Sequence, residues 1–141
     1  MTKPLHFMKP DNTQILIDRE RLLKDVQAEF STYYPFLKLE FLATDKSGKT
    51  LKSMKIDPQT SLRHLAQPGI PNTINVSYYR TVSELSHDFE HLLGVIVQVY
   101  RKSGNVWNVI SITDGWTLES QNAAGEFIST EMAMTAKKVS D

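Results

Sequence analysis

From residue 13 to residue 126 the apolar side chains recur at two spacings, one of period two and one near 3.6, in the same order twice. Ile15 and Ile17 mark a first strand over 13–18. Leu23, Val26, Phe30 and Tyr33 or Tyr34 form the inward stripe of a helix that Asp18 is placed to cap and Pro35 to stop. Phe36, Lys38 and Glu40 then alternate with Leu37, Leu39 and Phe41, as in a half-buried strand over 36–41. Lys46-Ser47-Gly48 supplies a turn into a weaker strand over 50–56, Asp57 is placed to cap a short helix that opens on Pro58 and runs through Leu62 and Leu65, and Gly69 ends the first unit. The second run predicts a strand over 74–78, a helix over 82–93, strands over 95–101 and 106–113, and a short helix from about Trp116. Thr81 and Glu84 stand at capping-box spacing before the second long helix, and Gly94 follows it where a left-handed residue is needed.

The two runs superpose residue on residue. A shift of 59 positions lays Ile15, Ile17, Leu23, Val26 and Phe30 on Ile74, Val76, Val82, Leu85 and Phe89. After a short deletion, a shift of 56 lays Lys46-Ser47-Gly48 on Lys102-Ser103-Gly104, Ile56 on Ile112 and Leu62 on Leu118. Such a period predicts a tandem pseudo-repeat of two β-α-β-β-α units, about 13–69 and 72–125. The fold class expected is α+β: one mixed sheet of about six strands with helices packed on it, within a single domain over 1–141. Residues 1–12 read as an irregular lead-in, and 126–141, where periodicity fades, as a flexible tail.

Composition narrows the function classes. With 141 residues, 40% of them hydrophobic, the chain supports one core. Sixteen Lys and Arg against sixteen Asp and Glu cancel, so the global attraction that drives nucleic-acid binding is absent, while repulsion between copies is small. A homodimer through an exposed sheet face is therefore expected, because outward strand positions such as Ile96, Tyr100 and Trp107 remain apolar. No cysteine occurs, which removes disulfides, thiolate nucleophiles and cysteine-held metal clusters. No secretory h-region or apolar run of membrane-spanning length is present, so the expected setting is cytoplasmic, without a membrane partner.

Three constellations carry candidate chemistry. His87-Asp88-Phe89-Glu90-His91 fits the H-x-x-E-H pattern, in which two histidines four apart on a helix share a zinc ion and the glutamate acts as base. Helical geometry turns His87 and His91 away from the Val82, Leu85, Phe89 and Leu92 stripe, towards water or a partner, and the first repeat has Ala28 and Thr32 at those places. In the hairpin Tyr100-Arg101-Lys102-Ser103-Gly104-Asn105-Val106-Trp107, basic and aromatic residues interleave, as in sheets that grip single-stranded nucleic acid. Finally, Asp114, Trp116, Gln121 and Asn122 combine an aromatic wall with hydrogen-bonding groups, the makings of a small-ligand pocket. Against that, Asp114 reads equally as a helix cap and Trp116 as core. There is no phosphate-binding glycine loop, nucleophile elbow or dinucleotide fingerprint, so no cofactor is expected.

Residues 34–41 and 97–107, together with Thr113-Asp114-Gly115-Trp116-Thr117-Leu118-Glu119-Ser120-Gln121-Asn122, resemble characteristic strings of a small bacterial protein family with no known activity. The resemblance spans about 13–126, is strongest in the second unit, and implies a bacterial cytoplasmic setting without assigning any residue a role. The function expected is a non-enzymatic interaction or small-ligand-binding module that uses Tyr100, Arg101, Trp107, Asp114, Trp116, Gln121 and Asn122. The alternatives are a small metal-dependent protein or hydrolase built on His87, Glu90 and His91, and a weak nucleic-acid binder using Arg101 and Lys102.

Overall fold

The computed structural model describes residues 9–44, 50–66 and 72–140. It contains strands β1 (Gln14–Ile17), β2 (Leu37–Thr44), β3 (Thr50–Lys55), β4 (Asn72–Asn75), β5 (Ile96–Ser103) and β6 (Val106–Val109). The helices are α1 (Leu23–Tyr33), α2 (Val82–Leu93) and α3 (Leu118–Ser140), with a 3-10 turn at Leu62–His64. The turn at Lys46-Ser47-Gly48, the end of the first unit at Gly69 and most of the lead-in lie outside the described residues.

Helix ends follow local chemistry. At α2 the Thr81 hydroxyl accepts from Glu84 N at 3.1 Å while the Glu84 carboxylate accepts from Thr81 N at 3.0 Å, satisfying two orphan donors. Gly94 closes α2 with φ of 65°, a conformation that costs a residue with a Cβ. At α1 the expected cap moves: Asp18 accepts from Glu20 N within a turn, and Asp25 reaches back to Leu22 N at 2.9 Å. Asp57 likewise closes a turn on Gln59 N, and Ser61 caps the 3-10 turn by accepting from Arg63 N. The turn is shorter than the helix expected there.

The expectation of one mixed sheet is corrected. The protein is α+β, but the six strands among the described residues form two antiparallel sheets: a ribbon of β1 with β4, and a four-stranded sheet in the order β3-β2-β5-β6. A mixed sheet would need each helix to cross over between parallel neighbours. Instead β1 pairs with β4, Ile15 opposite Ile74, while β2 pairs with β5, Leu39 opposite Val99. Helices α1 and α2 thus each lead from the ribbon into the four-stranded sheet, α1 touching β1 and β2, and α2 touching β4 and β5, while α3 follows β6.

The core fills the space between these elements. Ile15, Ile17, Ile74 and Val76 from the ribbon meet Leu23, Val26, Phe30, Leu85 and Phe89 from the helices and Leu37, Leu39, Phe41, Val97 and Val99 from the sheet. Phe41 and Phe89 meet edge to face at 5.3 Å. Tyr34 is also buried, and its hydroxyl donates to Val76 O at 2.5 Å, so its polar tip is satisfied where water is excluded. Burial, with a smaller push from Glu119, raises the Tyr34 phenol far above its ordinary value, keeping it a donor.

Two loops are tied down in parallel fashion. Leu23 N and Lys24 N donate to Thr60 O and Pro58 O, and Leu62 N donates to Arg21 O. Val82 N and Ser83 N donate to Trp116 O and Asp114 O, and Leu118 N donates to Arg80 O. Residues 126–140, expected as a tail, continue α3, which is much longer than the short helix its periodicity suggests.

Candidate binding face

Alternation along β2 and β5 sorts their residues onto two surfaces. Leu37, Leu39, Phe41, Val97 and Val99 turn inward and are buried. The intervening register pairs, Lys38 with Tyr100, Glu40 with Gln98 and Leu42 with Ile96, point to the other face. β6 extends it by setting Val109 beside Tyr100 and Trp107 beside Lys102. The β5–β6 loop is Gly104-Asn105, and φ of 67° at Gly104 suits a two-residue hairpin turn. No described helix packs across this second face, and Lys38, Glu40, Gln98, Tyr100, Lys102 and Trp107 all stay half-buried within it.

The middle of the face is an aromatic pair fringed by cations. Lys38 Nζ lies 4.9 Å from the Trp107 ring centroid and 5.5 Å from that of Tyr100, and Lys102 Nζ lies 5.9 Å from Trp107. Ammonium groups over ring faces gain from the ring quadrupole while leaving N–H donors directed to solvent. Beside them Lys55 Nζ is 2.8 Å from Glu40 Oε2, which has no further hydrogen bond among the described residues. Burial alone would raise the Glu40 carboxyl, but Lys55 and Tyr100 outweigh it and hold it below the usual carboxylate range. Tyr100 donates to Gln98 Oε1 at 2.9 Å, and its phenol is raised by burial and by Glu40. With Glu40 neutralised by Lys55, the face presents the net positive charge of Lys38 and Lys102.

The structure divides the candidate ligand residues. Tyr100 and Trp107 share this face. Arg101 lies on the opposite side of β5 and donates to Gln121 Oε1 at 2.9 Å. Gln121 is fully buried and also donates to Thr113 O at 2.6 Å and Thr113 Oγ1 at 3.0 Å. Asn122 Oδ1 accepts from Phe36 N at 2.9 Å. Gln121 and Asn122 therefore anchor α3 to the sheet. Asp114 and Trp116 sit in the loop before α3 and use their backbones to hold α2. The N-terminus of α3 is capped by Thr117, which accepts from Ser120 N at 3.1 Å, so Asp114 has no capping role there. Trp116 is 46% exposed, contrary to a core role.

His87 and His91 stand exposed on α2, their rings parallel at 6.4 Å, with Glu90 exposed beside them. Among the described residues no three of His, Cys, Asp and Glu converge to hold a metal ion. Sequence reasoning passed over Lys38, Glu40 and Gln98. The signal for them was the polar half of the period-two pattern, which becomes a surface only when β2 is known to lie beside β5. No described helix is long and apolar enough to cross a membrane. No family model, curated protein or solved structure matches the chain.

Proposed function

We propose that this protein is a non-enzymatic binding module, bacterial and cytoplasmic, that engages its ligand or partner through the open face of the four-stranded sheet. The observation that carries this reading is the placing of Tyr100 and Trp107 side by side under Lys38 and Lys102. Flat apolar walls beside ammonium donors suit a ligand that joins a planar group to a carboxylate or phosphate. Two halves descended from one β-α-β-β-α unit account for the architecture. In support, the bridge Leu22 to Ser61 and the bridge Thr81 to Thr117 fall at positions related by the shifts of 59 and 56.

The test uses a Trp116→Phe protein, in which Trp107 is the sole indole. Its fluorescence is followed while mononucleotides, aromatic carboxylates, short acidic peptides and a short single-stranded oligonucleotide are added. At least one class should give saturable quenching that weakens about tenfold in Lys38→Glu/Lys102→Glu, in line with loss of two charge-assisted contacts. Absence of saturation with every class, or equal binding by the charge-reversed protein, contradicts the reading. An oligonucleotide response that falls steeply with salt would select nucleic acid as the ligand class.

A further inference from the structure

The four-stranded sheet has two edges, and they are built differently. Strand β3, at one edge, carries Lys52 and Lys55, and its pairing with β2 shifts register between Leu42 and Thr44. Charges and irregular pairing keep an edge from accepting another strand. Strand β6, at the other edge, has neither. Val106-Trp107-Asn108-Val109-Ile110 contains no charge, proline or glycine, and Val106 and Val109 are exposed at 55% and 48%. Ile110 N donates to Val99 O at 2.9 Å, which makes Val99–Ile110, Arg101–Asn108 and Ser103–Val106 the hydrogen-bonded pairs of the β5–β6 hairpin. The backbone N–H and C=O of Trp107 and Val109 consequently point away from β5, and they bond to no described residue. Two donors and two acceptors are thus open to a further strand.

The spacing of these groups suits a second copy of the same strand. Antiparallel pairing about a two-fold axis at Asn108 sets Trp107 opposite Val109 of the second copy, and Val109 opposite its Trp107. Each of the two pairs then exchanges both of its N–H···O bonds, four in all. On the open face each pair joins an aromatic to a β-branched side chain, a favourable combination, and on the other face Asn108 meets its own copy with no charge opposed. Lys102 lies one strand further in, so its two copies stand about 14 Å apart, beyond the screening length at physiological salt. The net charge of +0 adds no repulsion between the chains. Because β3 is blunted, this sheet has no second open edge, and pairing stops at two copies.

We propose that β6 pairs antiparallel with β6 of a second copy, forming an isologous dimer with a continuous eight-stranded sheet. The open face is thereby extended, because Trp107 of the second copy comes beside Val109, itself the register neighbour of Tyr100. The contact is short, below the roughly 1,200 Å² of a standard interface, so association is reversible. It needs no ligand, so it stands or falls apart from the reading of the face as a binding site. Sedimentation equilibrium of the full chain without ligand tests it, with far-UV circular dichroism to check that each variant is folded.

The wild type should show a monomer–dimer equilibrium below about 1 mM. Val109→Pro removes an N–H that β5 does not use, a change an edge strand tolerates, and should weaken the dimer at least about tenfold through loss of two of the four bonds. Asn108→Glu and Asn108→Lys should each weaken it several-fold, because each sets like charge directly opposite itself. An equimolar mixture of those two variants should associate more tightly than either alone, since the charges facing each other are then opposite. A wild type that stays monomeric to about 1 mM overturns the proposal and assigns the edge to an extended segment of another protein. So does a dimer indifferent to Val109→Pro, or a mixture that associates no better than its components.

Discussion

Gln121→Leu separates an anchoring role from a ligand-binding one. In the folded protein Gln121 is fully buried, accepts one bond from the Arg101 guanidinium at 2.9 Å and donates two to Thr113, at 2.6 and 3.0 Å. Leucine nearly preserves the volume but makes none of these bonds. One bond to a charged group is worth about 1.5–3 kcal/mol and two neutral ones about 1 kcal/mol each, set against roughly 1 kcal/mol gained by burying the new methyl groups. Arg101 is half-buried and recovers part of its loss from water. The net destabilisation is therefore about 2–3 kcal/mol, or roughly 6–12 °C in melting temperature for a chain of this length. Differential scanning calorimetry supplies the shift, and the Trp107 titration supplies the binding. The account requires a large thermal shift with binding at Trp107 unchanged at a temperature where the variant is folded. A shift below about 2 °C together with lost binding would refute it, because Gln121 would then face a ligand rather than the Arg101–Thr113 pair.

Tyr34→Phe removes the buried bond to Val76 O and should cost about 1–2 kcal/mol, read as a lower urea midpoint with unchanged slope. An unmoved midpoint would show that Val76 O finds another partner. Glu40 titrates below its ordinary 4.5 in the folded state, so its contribution is present above that value and is lost as pH falls through the depressed one. Because Lys55 is largely exposed, the effect stays below about 1 kcal/mol. Glu40→Gln should therefore narrow the stability difference between pH 7 and about pH 3 in urea titrations, and a wider difference would contradict the assigned direction.

The sequence was most legible where one local signal decides an element. The capping box at Thr81 and Glu84 and the glycine at 94 bound α2 at the residues expected, and the inward stripes of α1 and α2 are buried, except that Leu93 rather than Leu92 completes that of α2. Strand partners were not legible, since alternation at β2 says which side chains share a face but not which strand lies beside it. The one-sheet expectation failed there, because β1 meets β4 and β2 meets β5 across a long stretch of chain. Caps placed at Asp18, Asp57 and Asp114 failed for a related reason. Asp18 and Asp57 bond to the backbone two residues on, as a turn allows, and serine, threonine and a back-reaching Asp25 do the capping. The candidate site was half visible. Tyr100 and Trp107 stood out as aromatic, whereas Lys38, Glu40 and Gln98 read as ordinary solvated strand positions until their pairing was known. Trp116 misled in the other direction: a large aromatic in an apolar context suggests core, yet its loop serves α2 through the backbone carbonyl.

The central claim is that Trp107 lies on an open surface that attracts anions. Collisional quenching of the Trp116→Phe protein tests it without any knowledge of the ligand, since iodide and caesium ions probe the same indole with opposite charge. Lys38 and Lys102 should make iodide the stronger quencher at low ionic strength, and the preference should vanish in Lys38→Gln/Lys102→Gln. An indole shielded from both ions, or one that caesium quenches as readily as iodide, would contradict the account.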